Sequence, residues 1–263
     1  MPRTAQHTAQ SATQQAFSLL EMAIVVAVVG LIIGGVMATQ DFVRKAEISA
    51  GMAEVDSVTK ALNTFVSNYH ALPGDMGDAE AYWGARGTCP GTGLDGQNTC
   101  NGNNDGRIEH SGSYAFEQFT AFQHMAQAGL IEGTYTGAPG PASNRDAEIG
   151  VNVPESSIEN AGIGIGWTGV QTGTATYYDG NYGHAISIGA ENGNNYAIAP
   201  ILTPQEALNI DLKIDDGKPS YGEVVVFKSG TNPNCATSDT AASAEYNLTY
   251  SEIACAAVFR NRL

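Results

Sequence analysis

The chain has 263 residues, 43% of them hydrophobic and 15% charged, so it is long enough to bury a core of its own without help from disulfides. Its formal net charge is −15 and it carries only twelve Lys and Arg. This charge excludes nucleic-acid binding through phosphates, which needs clustered basic residues. The thirty-one Gly and ten Pro indicate a loop-rich surface of the kind found on extracytoplasmic proteins.

The N-terminal part of the chain changes abruptly in polarity. Residues 1–16 are polar, whereas 22–38 form an apolar run without a charge, at the lower end of the length that crosses a bilayer. A secretory signal cleaved after this run is conceivable, but the helical pattern continues beyond it at Val55, Val58, Leu62, Phe65 and Tyr69. We therefore predict one helix over about 17–70, transmembrane over 17–38 and amphipathic over 39–70.

The start of this helix reads Ala16-Phe17-Ser18-Leu19-Leu20-Glu21 and is followed by the apolar run. It resembles the processing site of type IV prepilins and type II secretion pseudopilins. The resemblance implies that 1–16 is a leader peptide, that prepilin peptidase cuts between Ala16 and Phe17, and that Phe17 is methylated. It also implies that Glu21 docks against the amino terminus of a neighbouring subunit. The family usually has Gly before the cut, where this chain has Ala16.

Two local disulfides are predicted because the four cysteines lie in two close pairs, neither of which has the spacing of a zinc or redox motif. The pairs are Cys89 with Cys100 and Cys235 with Cys255. Such bonds place the globular part in an oxidising compartment.

A loop with the spacing of a calcium-binding sequence follows the first cysteine pair. Oxygen-bearing side chains and a Gly at position six fit the pattern, but the acid expected at position twelve is replaced by Gly112. Glu117 can supply that acid only by a different path of the loop. The alternative is an Asn/Gly-rich turn held by the Cys89–Cys100 loop. The candidate calcium residues, at positions one, three, five, seven and nine, are Asn101, Asn103, Asp105, Arg107 and Glu109.

The rest of the chain, 71–263, is predicted as a globular head of short elements. Apolar spacing indicates a helix over 114–128 that ends at Gly129, and Thr203-Pro204-Gln205-Glu206 predicts a capped helix from Pro204. A buried strand is predicted over 222–228. Weaker strand candidates are 163–168, 174–178, 184–188 and 195–199. The predicted fold class is α+β: a long N-terminal helix that carries a pilin-like head with a small antiparallel sheet.

The sequence contains neither a hydrolase motif nor a phosphate-binding loop. An enzyme is therefore not expected, and no cofactor is required. The resemblance implies a structural subunit of a type IV pilus or a secretion pseudopilus, and it leaves open which of the two and whether the subunit is major or minor. Implied partners are other pilin or pseudopilin subunits, prepilin peptidase and an inner-membrane assembly platform. The implied location is the inner membrane before assembly and a periplasmic or cell-surface filament afterwards.

The alternative function is a membrane-tethered adhesin or carbohydrate-binding domain whose anchor only resembles that of a pilin. The aromatic residues that can stack on a sugar in this alternative are Trp83, Trp167 and the Tyr177-Tyr178 pair, although core packing is the commoner role of such residues.

Overall fold

The computed structural model describes residues 18–89, 98–193 and 195–263, and at 34–38 it describes the helical backbone alone. The chain divides into two compact units, Met1–Ala46 and Glu47–Leu263. The helices and strands are α1 (Leu19–Tyr69), α2 (Ala79–Trp83), α3 (Glu117–Gln127), α4 (Pro204–Ile214), β1 (Gly162–Trp167), β2 (Val170–Gln171), β3 (Gly180–Asn181), β4 (His184–Gly189), β5 (Val224–Val226) and β6 (Ala257–Phe259).

The predicted α+β class is found in the head, and the predicted long helix is present as α1, but the assignment of its first part as transmembrane is wrong. Among the described residues, no helix is sufficiently long and apolar to span a bilayer. The reason is that the uncharged apolar run covers only 22–38 and is followed by Thr39, Gln40 and Asp41. A membrane span needs about 20 predominantly apolar residues.

The C-terminal part of α1 belongs to the core of the second unit. Val55, Val58, Leu62 and Phe65 are all at least 95% buried, as their spacing of three and four residues predicts. The helix ends at Tyr69, where the next residue takes a left-handed backbone conformation. Pro73 follows shortly after and prevents the helix from continuing.

The sheet of the head has four antiparallel strands in the order β1-β4-β6-β5. In the register of β1 with β4, Gly164 lies opposite Ser187 and Gly166 lies opposite Ala185. The last strand in the chain, β6, pairs with β4 on one side and with β5 on the other. It is therefore an inner strand of the sheet.

The two faces of β1 differ because its sequence alternates Gly and Ile. Ile163 and Ile165 lie in the main hydrophobic cluster together with Phe119 and Phe122 of α3, since successive side chains of a strand point to opposite faces. The second, smaller cluster includes Val225, Phe227 and Val258.

Both predicted head helices are present. The first is α3, which starts at Glu117 rather than at 114, because a 3₁₀ turn occupies Gly112–Tyr114. It ends before Gly129, whose φ of 69° suits a glycine at a helix C-terminus. The second is α4, which has the predicted capping box, with Thr203 Oγ1 accepting from the Glu206 N–H.

Three of the five predicted head strands are confirmed as β1, β4 and β5, and those over 174–178 and 195–199 are wrong. The Thr174 hydroxyl both accepts from the Tyr177 N–H and donates to the Tyr177 carbonyl, and such local bonds compete with strand pairing. Similarly, the Asn195 carboxamide accepts from the N–H of the next residue.

Both predicted disulfides are confirmed, and their Cα atoms lie 5.7 Å apart in Cys89–Cys100 and 5.0 Å apart in Cys235–Cys255. The Cys255 carbonyl also accepts hydrogen bonds from the N–H groups of Ile201 and Leu202. Cys255 therefore joins two segments to the residues before β6: Cys235 through the disulfide, and the residues before α4 through these hydrogen bonds.

Candidate functional site

Two of the predicted processing residues, Ala16 and Phe17, lie outside the described residues. Glu21 lies in the first turn of α1, where its carboxylate accepts from the Ser18 N–H at 2.8 Å and its own N–H donates to the Ser18 hydroxyl at 3.1 Å. This reciprocal pair is a capping box, and the hydrogen bond from the Ser18 backbone lowers the pKa of Glu21. The cap is a local role for Glu21, and its predicted docking to a neighbouring subunit stays a prediction.

The first fifteen residues of α1, Leu19 to Ile33, form an apolar surface. Every side chain in this range is exposed, and Glu21 is the only charged one. The most exposed are Leu19 at 93% and Leu31 at 78%. A contiguous apolar surface on a protein marks a site of interaction with protein or lipid.

The candidate calcium loop follows the predicted spacing only in part. The Asn101 carboxamide accepts from the Glu80 N–H at the start of α2. The side chain at position one of the loop is therefore bonded to α2. Asn103 Oδ1 accepts from the Asp105 N–H, and Asp105 Oδ1 accepts from the Arg107 N–H, which are the local turns that such a loop uses. The Arg107 guanidinium lies over the Trp167 ring.

Asp75 contributes to this loop from a distant part of the chain, which the sequence did not indicate. Its two carboxylate oxygens accept from the N–H groups of Asp105 and Gly106 at 3.0 and 2.9 Å. This close approach requires glycine at position 102, because a Cβ there would lie 2.3 Å from the Asp75 carbonyl carbon. The glycine at position 102 was therefore the feature of the sequence that could have indicated a close approach of another backbone segment.

Glu117, the first residue of α3, completes the loop from the other side. Its Oε1 accepts from the Asn103 N–H at 3.1 Å and its Oε2 accepts from the Glu109 N–H at 2.9 Å, so the alternative path considered for the loop does bring this carboxyl to it. Glu117 is fully buried, and no basic side chain among the described residues forms an ion pair with it. Desolvation by this burial raises its pKa to about 8. Burial also raises the pKa of Asp75 and of Glu109.

The loop carboxylates are not arranged as a closed metal centre. Among the described residues, the group of three acidic side chains whose oxygens lie within 4.8 Å of one another is Asp211, Asp215 and Asp216. These three stand at the C-terminal end of α4, where Asp211 accepts from the Tyr246 hydroxyl at 2.7 Å and from the Gly217 N–H at 3.0 Å. The hydrogen bonds give the group a structural role in the turn after α4.

The four aromatic residues considered for sugar stacking are dispersed, and most of them are packed in the protein. Trp83 packs against the rings of Tyr69 and His124, Trp167 packs against His184, and Tyr178 is fully buried. Tyr177 lines a pocket.

Comparison with protein-family models, with curated proteins and with solved structures finds no match for this chain. The function therefore has to be inferred from the residues and the geometry alone.

Proposed function

We propose that the chain is a structural subunit of an extracytoplasmic filament, of the type IV pilus or type II secretion pseudopilus class. In this proposal prepilin peptidase cuts before Phe17, and an assembly platform joins the mature chain to other subunits through α1. The observation that carries the proposal is the exposed apolar surface of α1 from Leu19 to Ile33.

Physical chemistry favours covering this surface with other copies of the same helix. Burying one Leu, Ile or Val side chain contributes about 1.5–3 kcal/mol, and the stretch contains ten of them besides its Ala and Met residues. A helix that is apolar around its whole circumference can contact several neighbours at once, which is the arrangement that a filament core needs. The resemblance at Ala16 to Glu21 points to the same use of the helix.

The two disulfides support the extracytoplasmic part of the proposal, since such bonds persist in oxidising compartments.

The first test is the intact mass and N-terminal sequence of the protein extracted from cells with and without a prepilin peptidase. We expect a mature chain that begins at methylated Phe17 only where the peptidase is present. A chain that begins at Met1 in both cells contradicts the proposal and favours the tethered binding domain.

The second test separates assembly from processing. We expect Leu31→Asp to leave N-terminal processing and disulfide formation intact and to abolish sheared filaments in electron micrographs. The matched control is Leu212→Asp on α4, which changes an exposed leucine outside the proposed interface. Equal loss of filaments in both variants, or normal filaments with Leu31→Asp, contradicts assembly through α1.

A further inference from the structure

The segment that the second disulfide closes contains the sequence Asn247-Leu248-Thr249. It is the only place in the chain where an Asn is followed two residues later by Ser or Thr with no Pro between them. This pattern is the acceptor sequence for N-linked glycosylation, and it is used in surface loops of exported proteins. Because three residues can match a pattern by chance, the geometry at Asn247 decides whether it can accept a glycan.

The backbone of Asn247 is held in a turn, and the side chains that follow it face solvent. The Asn247 N–H donates to the Cys235 carbonyl at 2.9 Å, and the Asn247 carbonyl accepts from the Tyr250 N–H at 3.0 Å. Leu248 is 54% exposed and Thr249 is exposed. The acceptor sequence therefore lies at an accessible turn that is fixed to the head through the disulfide-bonded residue.

The carboxamide of Asn247 has its nitrogen free for reaction. The Thr249 hydroxyl donates to Asn247 Oδ1 at 2.7 Å, which fixes the orientation of the carboxamide. Among the described residues, no group accepts a hydrogen bond from Asn247 Nδ2, and the residue is partly exposed to solvent. A glycosyl donor can therefore reach this nitrogen without breaking a hydrogen bond of the head.

The charge beside the turn favours the approach of an enzyme that handles phosphorylated sugars. Glu245 lies two residues before Asn247, and its side chain is 58% exposed and paired with Lys218. An exposed ion pair of this kind contributes little to stability, so the carboxylate can exchange its partner. Since basic side chains are the usual protein ligands of phosphate, an acid next to the acceptor is complementary to such an enzyme.

We propose that Asn247 is a site of N-linked glycosylation, modified by an oligosaccharyltransferase outside the cytoplasm. In the reaction Asn247 Nδ2 attacks the anomeric carbon of a sugar carried on a polyisoprenyl diphosphate. A C–N bond forms as the bond between that carbon and the diphosphate oxygen breaks. The polyisoprenyl diphosphate leaves, the proton from Nδ2 passes to a base of the transferase, and no atom is oxidised or reduced.

The proposal rests on the extracytoplasmic part of the proposed function, but it does not depend on filament assembly. The experiment is mass spectrometry of the tryptic peptide 229–260 from the full chain, purified without reduction from the cells that produce it. This peptide contains Asn247 and both cysteines of the second disulfide, so it reports glycosylation and export together. We expect it to carry the disulfide and a glycan that fragmentation locates on Asn247. Asn232 and Asn234 of the same peptide lie outside the acceptor pattern and should be unmodified.

Three variants test the acceptor sequence. Asn247→Gln keeps a carboxamide but displaces its nitrogen, and we expect it to lose the glycan. Thr249→Val removes the hydroxyl with little change in shape and should also lose the glycan, whereas Thr249→Ser keeps the hydroxyl and should retain it. The control is Thr240→Val, which changes an exposed threonine of the same disulfide-closed segment and should leave the glycan in place. An intact disulfide in each variant establishes that the segment is folded.

The outcomes separate this proposal from the extracytoplasmic location. A wild-type peptide that has the disulfide but no glycan overturns the glycosylation of Asn247 alone. A wild-type peptide with free thiols and no glycan contradicts the extracytoplasmic location as well. A glycan that persists in Thr249→Val, or one located on a residue other than Asn247, also overturns the proposal.

Discussion

Replacing Glu117 by Gln tests how a buried carboxyl controls the stability of the 101–109 loop. Glu117 is fully buried and accepts hydrogen bonds from the N–H groups of Asn103 and Glu109. Its pKa is raised from 4.5 to about 8 by desolvation. Glu117→Gln keeps the shape of the side chain and one acceptor oxygen but cannot ionise.

The sign of the effect follows from proton linkage. Because the folded pKa of Glu117 lies above its unfolded pKa, the folded state binds the additional proton between pH 4.5 and about 8. Its contribution to stability is fully present below pH 4.5 and is lost as the pH rises through 8. At about 1.4 kcal/mol per pKa unit, the whole change is at most about 5 kcal/mol.

The assay is the denaturant midpoint of the full chain in a mild detergent, measured from pH 5 to pH 9. We expect the wild type to lose stability over this range and Glu117→Gln to lose markedly less. Glu252→Gln, at an exposed position, is the control that should follow the wild type. Parallel pH profiles for the wild type and Glu117→Gln would refute the reasoning, because they would show that Glu117 does not change its ionisation over this range.

The remaining predictions concern the loop, a helix cap, a disulfide and a glycine. Added Ca²⁺ should raise the thermal midpoint of the wild type at pH 8.5 but not that of Glu117→Gln, and no change in the wild type contradicts the calcium prediction. Thr203→Ala should cost about 1 kcal/mol in urea unfolding, whereas Thr203→Ser should cost less. Replacing both Cys235 and Cys255 by Ala should cost about 2–5 kcal/mol, and an unchanged midpoint contradicts this. Gly102→Ala should destabilise the head and increase hydrogen exchange at Asp105, because its Cβ would meet the Asp75 backbone.

Elements with a local physical cause could be predicted from the sequence. The capping box at Thr203 specifies where α4 begins, and the apolar spacing from Val55 to Phe65 specifies which face of α1 is buried. The two disulfides followed from cysteine spacing. These features depend on residues that are close in the chain, so their pattern is visible without the fold.

Features that depend on distant residues could not be predicted. Asp75 and Glu117 reach the loop from opposite sides. Glu117 was considered only for a different path of the loop, and nothing in the loop's own spacing names Asp75. The strand β6 has only three residues and owes its position to pairing with β4 and β5. The strand predicted over 174–178 failed because one threonine side chain closes a local turn there.

The position of β6 bears on how the protein is made. Because β6 follows β4 and β5 in the chain but lies between them in the sheet, the sheet cannot close until β6 has been synthesised and has paired. Until then β4 and β5 each keep an open edge that can pair with another chain. A product that stops before β6 would therefore have no continuous sheet. Pairing of β6 with both neighbours is thus the step that completes the sheet of this head.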